Sequence, residues 1–251
     1  MKQIFADEKF NAQFHLGAVN SINWARILAQ ITYYFHSYFS LLRQQQTTEE
    51  TPASAAETLQ VQYVIPTGNF GDILAGYYAK KMGLPISKLV VATNENDILD
   101  RFFRGGRYEK NSVFGDESAG GEVLDGVKSH EVGAKETLSP AMDILVSSNF
   151  ERLLWYLAVE CEATGSMEER AQQAGEVVRK WMGDVKGRGG ITVSGAVLNA
   201  AKRDFASFRV SDKEVYPPTF SYALSDGGVR HLRRLQKFTI KSSTYLTPTL
   251  P

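Results

Sequence analysis

Five consecutive residues, Gly68, Asn69, Phe70, Gly71 and Asp72, carry the strongest chemical signal in the sequence. A β-rich run, LQVQYVIPT, leads into them, and a helix-forming run, DILAGYYAKKM, follows. The first amides of a helix have no acceptor within it, and the helix dipole adds partial positive charge at that end. Glycines at 68 and 71 permit a tight turn and let a ligand approach the backbone closely. Strand, glycine-punctuated turn and helix start together make a cradle for an anion, above all phosphate. The Asn69 amide adds a donor. Asp72 sits awkwardly here, because a carboxylate repels phosphate; its other reading is the N-cap of the helix. The whole element has a plainer reading too, as a tight turn between strand and helix. Its spacing is neither the Walker pattern nor GxGxxG.

Other reactive residues are less organised. The four histidines, His15, His36, His130 and His231, show no metal-ligand spacing. His36 lies on an aromatic-rich helix, where a packed role is expected. The acids of NENDILD suggest either a cation site or the acidic first turn of a helix, and the second reading is preferred. Ser139 in TLSPAMD has no neighbouring histidine, so no nucleophile triad is visible. The single cysteine, Cys161, excludes an internal disulfide and matches a reducing, cytoplasmic setting. Within LLWYLAVEC it reads as a small buried hydrophobe.

The elements that must position the turn follow from periodicity. Asn20 or Ser21 is expected to cap a helix through INWARILAQITYYFHSYFSLL. Trp24, Ile27, Leu28, Ile31, Tyr34, Phe35, Tyr38 and Leu42 recur along it at spacings of three and four, predicting one wide buried face. RQQQTTEETPASAAET reads as an exposed loop. LQVQYVIPT, the turn, a helix stopped by Gly83 and Pro85, and the strand KLVVAT form a βαβ crossover, implying parallel strands and right-handed winding. Asn96 or Asp97 starts a further helix, ended by Gly105 and Gly106. Arg107 to Glu136 reads as a long loop. Beyond TLSPAMDILVSS come helices in NFERLLWYLAVECEA and MEERAQQAGEVVRKWMGDV, a short GITV strand and a helix in GAVLNAAKRDF.

Composition bounds the function. At 251 residues, 43% hydrophobic and 22% charged with zero formal net charge, the chain has a globular make-up, and neither nucleic acid nor an anionic membrane is an expected partner. No apolar run approaches the roughly 20 residues that span a bilayer, and MKQIFADEKF lacks a secretory core. The last stretch differs: from Val215 onward Arg230, Arg233, Arg234, Lys237 and Lys241 face one acid, Asp226.

AVNSINWARILAQITYYF, VIPTGNFGDILAGYYAKKMGLPI, VVATNENDILDRFFRGGRY and TLSPAMDILVSSNFERLLWYLA, in this order, resemble consecutive blocks of threonine synthase, most closely the long form of fungi and many bacteria. The resemblance covers most of the chain to about Glu214. It implies an α/β fold of the tryptophan-synthase-β type, fold type II of the pyridoxal-phosphate (PLP) enzymes: a twisted, mostly parallel sheet flanked by helices, here incomplete. It implies conversion of O-phospho-L-homoserine and water to L-threonine and phosphate, with pyridoxal 5'-phosphate as electron sink. By the family pattern Gly68, Asn69, Phe70, Gly71 and Asp72 hold the cofactor phosphate, and Asn20, Ser21, Asn23 and Arg26 face the substrate. It further implies a PLP-binding α/β part over residues 1–149 and a mainly helical segment over 150–214.

Two departures accompany the match. No SFKD-type segment carrying the family's Schiff-base lysine occurs, and no DPH-type segment. The family character also fades near RVSDKE, so residues 215–251 are expected to be an aberrant or divergent, disordered tail, such as translated intron, with Met1 an internal start. No catalytic residue is therefore assigned, and the chain alone is expected to be inactive and poorly soluble. The rival reading is a non-catalytic product that at most binds phosphate or another chain. A serine or threonine dehydratase is disfavoured by NSINWAR and TLSPAMDI.

Overall fold

The computed structural model describes residues 7–17, 20–46, 59–110 and 133–215. The expectations for residues 47–58 and 111–132, for the tail from 216 onward, for His130 and His231 and for the start at Met1 lie outside the described residues. A short helix α1 (Glu8–Phe14) is capped by Asp7, whose Oδ1 accepts from the Phe10 N–H at 3.0 Å.

Helix α2 (Trp24–Gln46) begins later than Asn20 or Ser21 would place it. Asn23 stands at its start and accepts from the Ala25 N–H at 2.9 Å, while Asn20 Oδ1 accepts from the Ile22 N–H at 3.2 Å in the preceding turn. Its buried face is also narrower than expected. Ile27, Ile31, Tyr34 and Tyr38 are buried, whereas Trp24 and Leu28 are 48% and 55% exposed, and His36 is exposed rather than packed. Steps of four, three and four residues keep those four side chains on one stripe. Leu28 and His36 are turned off it by the rotation of about 100° per residue.

Strand β1 (Val61–Pro66), helix α3 (Gly71–Lys81) and strand β2 (Ile86–Thr93) realise the expected crossover, with Tyr63 opposite Leu89 and Ile65 opposite Val91 in parallel register. Helix α4 (Ile98–Gly105) ends at Gly106, which takes the left-handed conformation. The expected loop from Arg107 then opens with a strand, β3 (Arg107–Glu109). Three residues are too few to show a period, and their pairing is remote in sequence. After a 3-10 turn (Pro140–Met142) come helices α5 (Phe150–Cys161) and α6 (Met167–Arg188), the latter opened by a Ser166–Glu169 capping box. Strand β4 (Gly190–Thr192) pairs antiparallel with β3.

Helix α7 (Gly195–Asp204) passes directly into strand β5 (Phe205–Arg209), followed by the short α8 (Asp212–Val215). No sequence period marks β5 as a strand. It pairs parallel with β2, from Leu89 opposite Phe205 to Thr93 opposite Arg209, giving the sheet order β1-β2-β5. Helices pack around this sheet, α2 against α3 and α5 against α6 and α7. Phe70, Phe102, Phe103, Tyr108, Phe150 and Phe205, each essentially buried, form an aromatic core beneath the β1–α3 turn. Cys161 is half-buried at its edge, and burial raises its thiol pKa. Among the described residues no helix is long and apolar enough to cross a membrane.

Candidate functional site

The glycine turn leaves the sheet still tied to it. The Thr67 N–H donates to the Ala92 carbonyl of β2 at 2.8 Å, and Thr67 Oγ1 turns back to the Ile65 carbonyl at 2.7 Å. Gly68 is needed for close approach. A Cβ there would stand 2.8 Å from Ile144 Cδ1 and 3.2 Å from the Met142 Cα, inside the space of the 3-10 turn. That turn is fixed from below by Asp143, whose Oδ1 accepts from Asn94 Nδ2 at 2.6 Å and from Thr137 Oγ1 at 2.7 Å.

Phe70 has φ 64° and ψ 8°, a left-handed conformation unusual for an aromatic residue. This step sends the chain into α3 at Gly71. Phe70, not Asp72, therefore occupies the N-cap position, without a side-chain hydrogen bond, and Asp72 is the second residue of the helix. The alternative N-cap reading of Asp72 is corrected accordingly. Burial of the Phe70 ring, 1% exposed among Phe103, Phe150 and Phe205, holds the turn in this shape.

A second segment, missed in the sequence, closes the turn from the α5 side. Ser147 Oγ donates to the Gly68 carbonyl. Ser148 Oγ donates to Asn69 Oδ1 at 2.9 Å. Asn149 donates from both its N–H and its Nδ2 to the Asn69 carbonyl at 3.0 Å, and from Nδ2 to the Ser21 carbonyl at 2.8 Å. Asn69 Oδ1 is thus engaged by Ser148, and Asn69 lines the cavity at the turn. Asn149 is fully buried and joins the Ser21 turn, the glycine turn and α5. In the sequence it is one polar residue at the start of a helical run, with nothing local to mark this role.

Gly68 to Asp72 share a cavity of about 160 Å³ with Ser21, Arg26, Gln30 and Ala141. Ser21 and Arg26 thus join the turn, whereas Asn20 and Asn23 use their side chains on local backbone. Among the residues lining the cavity Arg26 carries the positive charge, and the helix start adds its first-turn amides. Asp72 is the opposing charge: burial raises its carboxyl pKa, and a hydrogen bond from the Tyr34 hydroxyl lowers it.

A larger cavity, about 320 Å³, lies at Glu95–Ile98, Arg101, Lys110 and Arg209, but its charges are engaged with one another. Asp97 receives Arg101 Nε at 2.9 Å and Arg209 Nη1 at 3.1 Å, Glu95 receives Lys135 at 2.7 Å, and Asp100 receives Arg104 at 2.8 Å. The acids of NENDILD are ion-pair members, and no group able to hold a metal exists among the described residues.

No protein-family model matches the chain. It is 53% identical to threonine synthase of Schizosaccharomyces pombe over 214 residues, which is 85% of this chain and 37% of that protein. Over those residues the chain matches threonine synthases. The solved threonine synthase from yeast aligns with a TM-score of 0.63 at 49% identity, over 85% of this chain and 35% of that one. A PLP-bound threonine synthase from Brucella melitensis aligns at 0.64 and 36% identity, over 90% of this chain and 39% of that one. The fold is fold type II, a parallel sheet flanked by helices, as the sequence blocks implied. The chain spans little more than a third of the length of these threonine synthases.

Asn149→Ala is expected to destabilise the chain by about 2–3 kcal/mol, since it strips donors from two carbonyls. Urea unfolding checks this, with Ser148→Ala, which removes only a hydroxyl from the Asn69 side-chain oxygen, expected to cost less.

Proposed function

We propose that this chain supplies the cofactor-phosphate cradle of a threonine synthase. That enzyme converts O-phospho-L-homoserine and water to L-threonine and phosphate, the last step of threonine biosynthesis. The observation that carries the reading is the start of α3 at Gly71, where first-turn amides open on the cavity shared with Arg26. The residues suit the phosphate end of pyridoxal 5'-phosphate. Helix-start residues, Asn69 and the Arg26 side chain line one cavity, and the glycine at 71 keeps side-chain bulk out of the turn. Pyridoxal phosphate, when bound, supplies an electron sink for substrate carbon chemistry.

In this reading Gly68 to Asp72 bind and orient the cofactor phosphate, with Phe70 and Ile73 sealing its inner side from water. Ser21 and Arg26 face the ligand, and Asn20 and Asn23 shape the turn that presents them. The family relationship supports the substrate assignment, because the chain shares 53% identity with a threonine synthase. A second reading, binding without catalysis by this polypeptide alone, is favoured by the absence of an SFKD-type lysine segment from its sequence.

Calorimetric titration of the full chain with pyridoxal phosphate and with inorganic phosphate tests the cradle. Both ligands are expected to compete for one site, and Arg26→Gln to weaken both by about twofold to fivefold, as loss of one exposed charge would. Pyridoxal phosphate binding that phosphate cannot displace would overturn the assignment. Phosphate release from O-phospho-L-homoserine, assayed in parallel, decides between the two readings: release above the buffer rate by the chain alone excludes the binding-only one.

A further inference from the structure

We propose that Tyr34 is a positioning residue for the phosphate cradle, anchoring Asp72 toward α2 so that its carboxylate is held off the anion facing the first-turn amides. The inference rests on the cradle reading above. Tyr34 comes from the aromatic helix α2, is 4% exposed, and donates its hydroxyl to the Asp72 carbonyl at 2.9 Å and to Asp72 Oδ1 at 3.4 Å. The single O–H is shared in a three-centre bond, with the carbonyl on the shorter arm and the carboxylate on the longer, so one phenol touches both the backbone and the side chain of the second helical residue.

The surroundings fix that phenol at both ends. A Cβ at Gly76, one turn along α3, would stand 2.6 Å from Tyr34 Cε1 and 2.7 Å from Cζ, so the ring lies against a helix surface that only glycine leaves open. The Tyr34 carbonyl accepts from Ser37 Oγ at 3.0 Å and from the Tyr63 hydroxyl at 3.1 Å, and the two tyrosine rings meet edge to face at 4.9 Å. Among the described residues, the titratable groups around Asp72 are Tyr34 and Arg26 of α2, with Tyr63 of β1 behind Tyr34. The hydroxyl opposes the upward push of burial on the Asp72 carboxyl and anchors its ionised form. Without it, a carboxylate one residue into the helix is free to swing over the amides that must face phosphate.

The test is a double-mutant cycle on the full chain, with inorganic phosphate as the probe across a pH series. Above the Asp72 titration midpoint, Tyr34→Phe is expected to weaken phosphate binding about threefold to tenfold, the worth of one hydrogen bond. In the Asp72→Asn background the same change should cost clearly less, because only the bond to the residue-72 carbonyl is then lost and no charge remains to be held. The carbon-13 signal of the Asp72 carboxyl should titrate at higher pH in Tyr34→Phe. Replacing Tyr34 by 3-fluorotyrosine, nearly isosteric and a stronger donor, should move it lower and supplies the test if the phenylalanine variant does not fold. Equal losses in both backgrounds, no loss at all, or an unmoved carboxyl midpoint would overturn the inference while leaving the cradle standing. A wild-type chain that takes no phosphate at any pH would remove the cradle reading and this inference with it.

Discussion

Phe70→Ala is expected to destabilise the fold by about 3–5 kcal/mol, the usual cost of emptying an aromatic site in a packed core. The ring is 1% exposed, with centroids 5.0 Å from Phe150, 5.8 Å from Phe205 and 6.4 Å from Phe103, so few neighbours can move to fill the space. The backbone sharpens the prediction. At φ 64° a non-glycine residue carries strain of about 1–3 kcal/mol, which the buried ring offsets. Alanine keeps that strain and loses the ring, whereas glycine loses the ring and the strain together. Phe70→Gly should therefore be no less stable than Phe70→Ala, reversing the ordinary ranking of the two residues. Denaturant midpoints of both variants decide it. A glycine variant clearly weaker than the alanine one would mean that the left-handed step carries no strain. Phosphate binding should fall in both, since the same residue aims the amides.

The second large effect is expected at Asp97. This carboxylate is 3% exposed and receives Arg101 Nε at 2.9 Å and Arg209 Nη1 at 3.1 Å. Asp97→Ala should cost about 3–5 kcal/mol, because removing one member of a buried pair leaves charge without its partner. Glu109, 3.4 Å from Arg101 Nη1, is placed to recover part of this. The loss should change little with added salt. By contrast, breaking the exposed Arg203–Glu160 pair should cost no more than about 1 kcal/mol and fade as salt screens it. Thermal unfolding at low and high ionic strength separates the two. Arg209 ends β5, so losing Asp97 should first loosen that end of the sheet, visible as faster amide exchange at Val210, whose N–H donates to the Thr93 carbonyl at 2.9 Å.

The crossover around the glycine turn was legible because its signals are local. Glycines, a stop at Gly83 and Pro85, and apolar strands fall within one short stretch. The helix following Asn149 was legible from period alone, as was α6. What stayed hidden depends on partners remote in sequence. Strand β5 has no period and follows α7 without a break; only pairing with Leu89 to Thr93 makes it a strand. The left-handed Phe70 contradicts local preference and exists because three distant rings hold it. Asn149 shows its role only when Ser21 and Asn69 are brought to it in space. The wide apolar face assigned to α2 was an overreading. Its period was right, but spacing cannot say how much of a stripe a chain covers.

The central position of β2 has a consequence for how the polypeptide is made. Its partner on one side, β1, leaves the ribosome before it, but its other partner begins only at Phe205, more than a hundred residues after Thr93. At roughly 5–20 residues per second, that edge of Leu89–Thr93 waits on the order of ten seconds without its native neighbour. Throughout that interval the nascent chain presents an open row of backbone donors and acceptors, with Val90 and Val91 within it, to any other extended segment. Slow codons between α4 and α7 would lengthen the exposure, and holdase chaperones that recognise extended apolar strands would have their natural target there.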